Sequence, residues 1–328
     1  MERLRVAVIG CGAFGRHQAH LVQQIEGVEL VAVCDVDRAA AETVGAERGC
    51  RTYESYHDLL AQEERLDGVL VVTPTYTHKD ICVAAARAGC HIFCEKPMAL
   101  RLSECDVMLQ AAESHHVKMM IGFVRRFQPV FAEMKRRVEA GEVGELKMLY
   151  ALRMGGRPPA GSGNWRRERR KVGGLYSAFI HEIDLMRWIG GEVRDVRGVN
   201  NFGTFPDTDV EDNLFMTLSF EKGAVGSLNA SQVFPPGAYD FGVAGSRGAL
   251  QYGGDVHTLR VAAHNGPTEK VTLDPADALR LELEEFVAAI REDREPCITG
   301  LDGKKALEIV LAAYRSAEEG KIVRLPIG

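Results

Sequence analysis

Gly10, Gly12 and Gly15 form a G-x-G-x-x-G hexapeptide that follows directly on the apolar run Val6 to Ile9. In a chain holding 34 glycines such a triplet can arise by chance, so its flanks decide its meaning. Phe14, Leu21, Val22 and Ile25 recur at helical spacing after it, and a second apolar run, Val28 to Cys34, ends at Asp35. Strand, glycine turn, helix, strand and terminal acid together predict a dinucleotide site. Gly10 permits the tight turn, Gly12 lets the backbone approach a pyrophosphate, and Gly15 lets the helix pack close to the strand. The free N–H groups and positive end of that helix, which opens at Ala13 and Phe14, would hold the phosphates. Asp35 can accept from both hydroxyls of an adenosine ribose and repels a 2′-phosphate, which favours NAD over NADP. Arg38, three residues on, could attract that phosphate, so NADP stays open.

The elements that must position these residues alternate through the first 120 positions. Helices are predicted near Ala39 to Arg48, from the Ser55/Asp58 capping pair, up to Gly89, and from Ser103 and Asp106. Between them fall short apolar runs at Arg51 to Tyr53, Gly68 to Val72, His91 to Cys94 and Met119 to Phe123. That alternation implies a doubly wound parallel sheet, in which ligands bind beyond the carboxyl ends of the strands. Gly10 to Gly15, Asp35, Thr73-Pro74-Thr75 and Glu95-Lys96-Pro97 all lie at such ends. Beyond about Phe127 the pattern changes to a helix (Pro129 to Ala140), a strand (Glu145 to Met154), a Gly/Pro/Arg-rich loop (155–171) and a helix (Leu175 to Ile189). Strands with tight turns then run from Val193 to Leu273, followed by two closing helices and a short strand. The expected organisation is α/β: a Rossmann domain over residues 1–123, and an α+β domain with a largely antiparallel open sheet over 124–328. The last helix is free to pack back on the first domain.

Composition narrows the class. Hydrophobic content of 46%, charged content of 26% and a net charge of −6 over 328 residues fit a globular enzyme and argue against nucleic acid as partner. No apolar run reaches the roughly 18 residues of a membrane span, and a strand begins almost at the first residue, which predicts a cytoplasmic location. Seven of the eight cysteines precede position 106, without a C-x-x-C pair. Cys82, Cys90, His91 and Cys94 have no standard zinc spacing and read as buried thiols; no metal is expected.

Several motifs in order resemble the Gfo/Idh/MocA oxidoreductases: the glycine stretch at 8–15, Val-Thr-Pro-Thr-Tyr-Thr-His at 72–78, Cys-Glu-Lys-Pro at 94–97 and Gly-Phe-Val-Arg-Arg-Phe at 122–127. Asn-Trp-Arg at 164–166, Gly-Gly-Leu-Tyr at 173–176, His-Glu-Ile-Asp at 181–184 and Glu-Pro-Cys-Ile-Thr-Gly at 295–300 continue the match. The resemblance implies an NAD-binding dehydrogenase acting on a secondary hydroxyl of a sugar or cyclic polyol, assembled as a homodimer or homotetramer. It makes Lys96 a catalytic residue, a role that chemistry supports independently: an ammonium at a strand end beside a cofactor can hydrogen-bond an alcohol or its developing alkoxide. Glu95 is given an orienting or nicotinamide-contacting role, and Thr73, Pro74, Thr75 and His78 fall with the cofactor contacts. His181 becomes the acid/base partner, with Asp184 on the same helix face to bind substrate or hold the imidazole. Arg125, Tyr239 and Ser177 complete the substrate side, with Arg126, Arg153 and Arg157 as further candidates. Ser177 departs from the pattern, because the family commonly has an Asp four residues before that His. The basic run Arg166 to Lys171 reads as a solvated loop. Two other readings remain: sugar cleavage through transient oxidation, which would release no net NADH, and a cofactor-bound sensor or co-regulator, which retention of Lys96, His181 and Asp184 argues against.

Overall fold

A computed structural model describes residues 3–156 and 165–327, with residues 177 and 178 described by their backbone alone. The chain divides into two units. One holds the chain up to Phe123 together with Leu279–Lys304; the other holds Val124–Ala278 and the chain from Lys305.

In the first unit Val6 to Ile9, Val69 to Val71 and Ile92 to Cys94 are buried on both faces, as strands covered by helices on both sides must be. Strands β1 (Leu4–Ile9), β2 (Val28–Cys34), β3 (Arg51–Tyr53), β4 (Gly68–Val71), β5 (His91–Glu95) and β6 (Met119–Gly122) pair in parallel in the order β3-β2-β1-β4-β5-β6. Between them run α1 (Ala13–Gln23), α2 (Arg38–Arg48), α3 (Tyr56–Gln62), α4 (His78–Arg87) and α5 (Leu102–Ser114). The order reverses between β1 and β4, which opens the crevice a dinucleotide uses. Ser55 caps α3 through the Asp58 N–H, as its spacing predicts. The predicted start of α5 is corrected: Arg101 stands at its N-cap with no side-chain cap, and Glu104 turns back to accept from the Leu100 N–H.

The second unit opens with α6 (Pro129–Glu139), β7 (Leu146–Gly156), α7 (Arg169–Val172), α8 (Leu175–Ala178) and α9 (Ile180–Gly190). Strands β8 (Val193–Asn201), β9 (Asn213–Phe220), β10 (Val225–Ser231), β11 (Val233–Gly245), β12 (Gly248–Tyr252), β13 (Thr258–Ala263) and β14 (Thr268–Thr272) follow. Then come α10 (Ala278–Arg291), α11 (Gly300–Glu319) and β15 (Val323–Arg324). The nine-stranded sheet runs β14-β13-β12-β11-β7-β10-β9-β8-β15, antiparallel except where β10 lies parallel to β7. That pair is distant in sequence and no turn joins it, so turn signals could not reveal it. Leu214, Met216, Leu218 and Phe220 point to the buried face, while Met148, Val199, Phe215 and Val225 are exposed.

Two expectations change. The single helix predicted over Leu175 to Ile189 is two helices that break at Phe179 (φ −104°, ψ 16°). Its apolar spacing continues through the break, which coincides with tertiary anchoring: the Leu175 N–H donates to Glu211 and the Tyr176 N–H to the Tyr314 hydroxyl. The helix that joins the first unit is α10 rather than the last one. Its Phe286 meets Phe93 edge-on at 5.9 Å between ring centroids. α11 belongs to that unit only through its first turn, where Gly303 allows close approach to Met98 and Ile121.

Candidate active site

The turn after β1 is closed by sterics. Gly10 has φ +108°, and a Cβ there would meet the Val72 carbonyl oxygen at 2.6 Å. A Cβ on Gly15 would meet the Gly10 carbonyl oxygen at 1.9 Å, so only glycine lets α1 rest on the strand end. Gly12 caps α1 with open space beside it, no side-chain cap and no acid in the first turn. Ala13 and Phe14 are exposed on that turn. The helix therefore presents its N–H groups and positive end unopposed.

Asp35, just past β2, is fixed by the backbone: one carboxylate oxygen accepts from the Cys11 N–H at 2.7 Å, the other from the Asp37 N–H at 2.9 Å. Arg38 spends its Nε on Glu42 at 2.7 Å, one turn along α2. After β4, the Thr77 hydroxyl bonds Thr73 Oγ1 and the Pro74 carbonyl, and Thr75 is buried. A glycine cradle that any Cβ would fill, an unopposed helix N-terminus and an oriented acid fit a dinucleotide with a free ribose diol.

His78, expected among the cofactor contacts, is buried at the start of α4. Its ring nitrogens lie 2.9 Å from the Pro97 carbonyl oxygen and 2.8 Å from that of Thr73. The imidazole thus ties the loop after β4 to the loop after β5.

Glu95 ends β5 in a buried position, and Lys96, half-buried, begins the loop beyond it. One Glu95 oxygen accepts from Gln18 Nε2 at 2.6 Å and the other from the Lys96 N–H at 3.2 Å. Gly122 on β6 leaves the room that this carboxyl occupies. Burial pushes the Glu95 carboxyl up to about 7, against the opposing pull of the Lys96 charge and the two hydrogen bonds. A carboxyl held above its unfolded value contributes stability below about pH 4.5 that is lost as the pH rises through 7. Glu95→Gln removes that dependence. In the cofactor-free protein, urea denaturation should show the variant gaining on wild type by about 3 kcal/mol between pH 4.5 and 8. A pH-independent difference would contradict the assignment.

Gln18 was not singled out by the sequence reading, yet it lies on the buried stripe of α1 with Leu21, Val22 and Ile25. A polar residue at i−3 and i−4 from apolar ones is the signal that could have found it.

In the second unit His181 lies in the first turn of α9 and is buried. Asp184, one turn on, is gripped by Arg126 in a bidentate pair at 2.8 and 2.5 Å, both side chains buried. Asp184, expected to bind substrate or hold His181, thus also pairs with the residue after Arg125. Arg125 donates to the Tyr239 hydroxyl at 2.6 Å, lies 4.6 Å over that ring, and stands 3.2 Å from Glu182. Arg153, opposite Tyr239 in the β7–β11 register, donates to the same Glu182 oxygen at 3.0 Å. Arg125, Arg153, Tyr239 and Glu182 thus form one cluster beside His181. Glu182 was missed as a member; a carboxylate inside the apolar run Ile180 to Ile189 was the available signal. The Ser177 side chain, Arg157 and Asn164 lie outside the described residues.

Other candidates are absorbed by local pairing. Cys90 donates to the Leu66 carbonyl, His91 accepts from the Lys118 N–H and Cys94 donates to the Glu95 carbonyl. Cys94 also lies within hydrogen-bond reach of Cys82. Six cysteines are buried, Cys50 is half-buried and Cys297 is exposed. In the basic run, Arg170 and Lys171 pair with Glu168, and Arg167 with Asp207. No described helix is long and apolar enough to cross a membrane.

A Rossmann unit with a dinucleotide cradle, followed by a mixed-sheet unit, defines a two-unit oxidoreductase. Residues 4–123 match the family described as "Oxidoreductase family, NAD-binding Rossmann fold", and residues 135–325 its "C-terminal alpha/beta domain". The chain belongs to the Gfo/Idh/MocA oxidoreductase family. It is 32% identical to scyllo-inositol 2-dehydrogenase (NAD(+)) of Bacillus subtilis, over 99% of this chain and 97% of that one. Myo-inositol 2-dehydrogenase of Thermotoga maritima is 31% identical, covering 98% of each. Among solved structures, the WlbA dehydrogenase of Bordetella pertussis, in complex with NADH and UDP-GlcNAcA, superposes with a TM-score of 0.89 at 26% identity over all of both chains.

Proposed function

We propose that the protein is an NAD-dependent dehydrogenase that oxidises a secondary hydroxyl of a sugar or cyclic polyol. The observation that carries this reading is the gathering of Gly10–Gly15, Asp35, Thr73–Thr75 and Glu95–Lys96 at the carboxyl ends of four neighbouring strands. The inositol dehydrogenases it resembles act on such hydroxyls. NAD, when bound, supplies the hydride acceptor. Gly10, Gly12, Gly15 and the first turn of α1 hold its phosphates and Asp35 its ribose diol. Lys96 hydrogen-bonds the reacting hydroxyl, and His181 shares the handling of its proton, the roles the family resemblance assigns to these two positions. Oxidation would break the C–H and O–H bonds of the alcohol and leave a ketone, with bound NAD as the acceptor of the hydride and the protein, then solvent, as the acceptor of the proton. The exposed apolar residues Met148, Val199, Phe215 and Val225 on the second sheet support a homo-oligomer, and the fold and charge support a soluble cytoplasmic protein.

Asp35 also sets the cofactor preference. NAD should bind more tightly than NADP, because a fixed carboxylate faces the diol and Arg38 is engaged by Glu42. Asp35→Ser should move the affinity ratio towards NADP by about tenfold or more, since one charge repulsion is worth on the order of 1–2 kcal/mol. Calorimetric titration of both cofactors tests this, and a wild-type preference for NADP would overturn it.

A further inference from the structure

Glu182 is fully buried, and a single one of its oxygens serves both Arg125 and Arg153. Its other oxygen makes no hydrogen bond among the described residues. One carboxylate thus offsets one of two guanidiniums. Asp184 pairs through both its oxygens with a third guanidinium, that of Arg126. Asp240 does not supply the difference: it alternates with Tyr239 along β11 and bonds Tyr150 and Gln251 on the other sheet face. The excess positive charge, partly withdrawn from water beside a fully buried carboxylate, favours an anion that completes it.

Arg153 is the member able to receive that anion. Its side chain is 35% exposed, against 16% for Arg125 and 6% for Arg126. It spends Nη1 on Glu182, while Nε and Nη2 make no hydrogen bond among the described residues. Its guanidinium lies 5.1 Å over the Phe179 ring, so it is held between the residues two before and one after His181. Beside it, the Tyr239 hydroxyl accepts from Arg125 and is kept protonated by burial, which leaves its O–H to donate to an oxygen. A planar guanidinium edge and a neighbouring O–H match the two oxygens of a carboxylate.

We propose that the substrate is a sugar acid, a uronate or aldonate, whose carboxylate is held by Arg153 with Tyr239 while the hydroxyl to be oxidised is presented to His181. The assignment rests on the reading of His181 as part of the reaction site. A singly charged carboxylate balances the one uncompensated guanidinium; a dianionic phosphate would overbalance it.

The test is calorimetric titration of the NAD-loaded protein with D-glucuronate and D-gluconate, against D-glucose, myo-inositol and glucose 6-phosphate, with NADH formation followed in parallel. Wild type should bind at least one acid about tenfold or more tightly than its neutral counterpart, as a charge-assisted pair requires. In Arg153→Met that ratio should fall towards unity, and Arg153→Lys should restore part of it. Circular dichroism and a thermal unfolding midpoint matching wild type in both variants certify that the second unit is folded. Equal or better binding of the neutral sugars, failure of both acids to bind, stronger binding of the phosphate, or an acid preference that survives Arg153→Met would each overturn the proposal. Acid binding without NADH formation would uphold the anion site and count against the dehydrogenase reading instead.

Discussion

Lys96→Met should lower turnover by about a thousandfold or more while changing NAD affinity less than about threefold. A positioned proton-handling group contributes on the order of 10² to 10⁴ in rate, and this residue also orients the hydroxyl. Methionine keeps the length and apolar stem of the side chain and removes only the ammonium. The phosphate and ribose contacts, at Gly10–Gly15 and Asp35, belong to β1, α1 and β2, so the affinity that they provide should survive. Steady-state kinetics on any accepted substrate, with NAD binding measured separately, separates the two effects. An active Lys96→Met enzyme would remove Lys96 from the chemistry.

Arg126→Met should destabilise the second unit by about 3–5 kcal/mol, because it removes the buried guanidinium that pairs with the Asp184 carboxylate. The partner replacement distinguishes an orphaned charge from a lost contact. Arg126→Met combined with Asp184→Leu should recover most of the loss, since an apolar pair of similar volume can replace a buried ion pair at little net cost. Denaturant unfolding of the single and double variants measures this. A single variant within about 1 kcal/mol of wild type would show that Asp184 finds another partner.

Much of this was legible in the chain because its signals are local. The glycine turn, Asp35 and the alternating strands and helices announce the first sheet, since each rests on contacts between sequence neighbours. Glu95 and Lys96 were legible as strand-end residues. The rest depends on partners far apart in sequence. Asp184 and Arg126 are separated by 58 positions, and Arg125 and Tyr239 by 114, so spacing could place each on an element without showing what it grips. The same limit applies to His78, whose neighbour Pro97 lies 19 positions away on the loop after β5. The break at Phe179 was hidden because apolar periodicity runs straight through it, while its anchors, Glu211 and Tyr314, come from the segment before β9 and from α11. The parallel β7–β10 pair escaped for want of a connecting turn.

The central claim is most directly tested by incubating the purified protein with NAD and a panel of neutral sugars, polyols and sugar acids, measuring NADH and identifying the product. One mole of NADH should form for each mole of ketone made from a secondary hydroxyl, with NADP a poorer acceptor. A sugar cleaved without net NADH, or a panel left untouched by a protein that binds NAD, would contradict it.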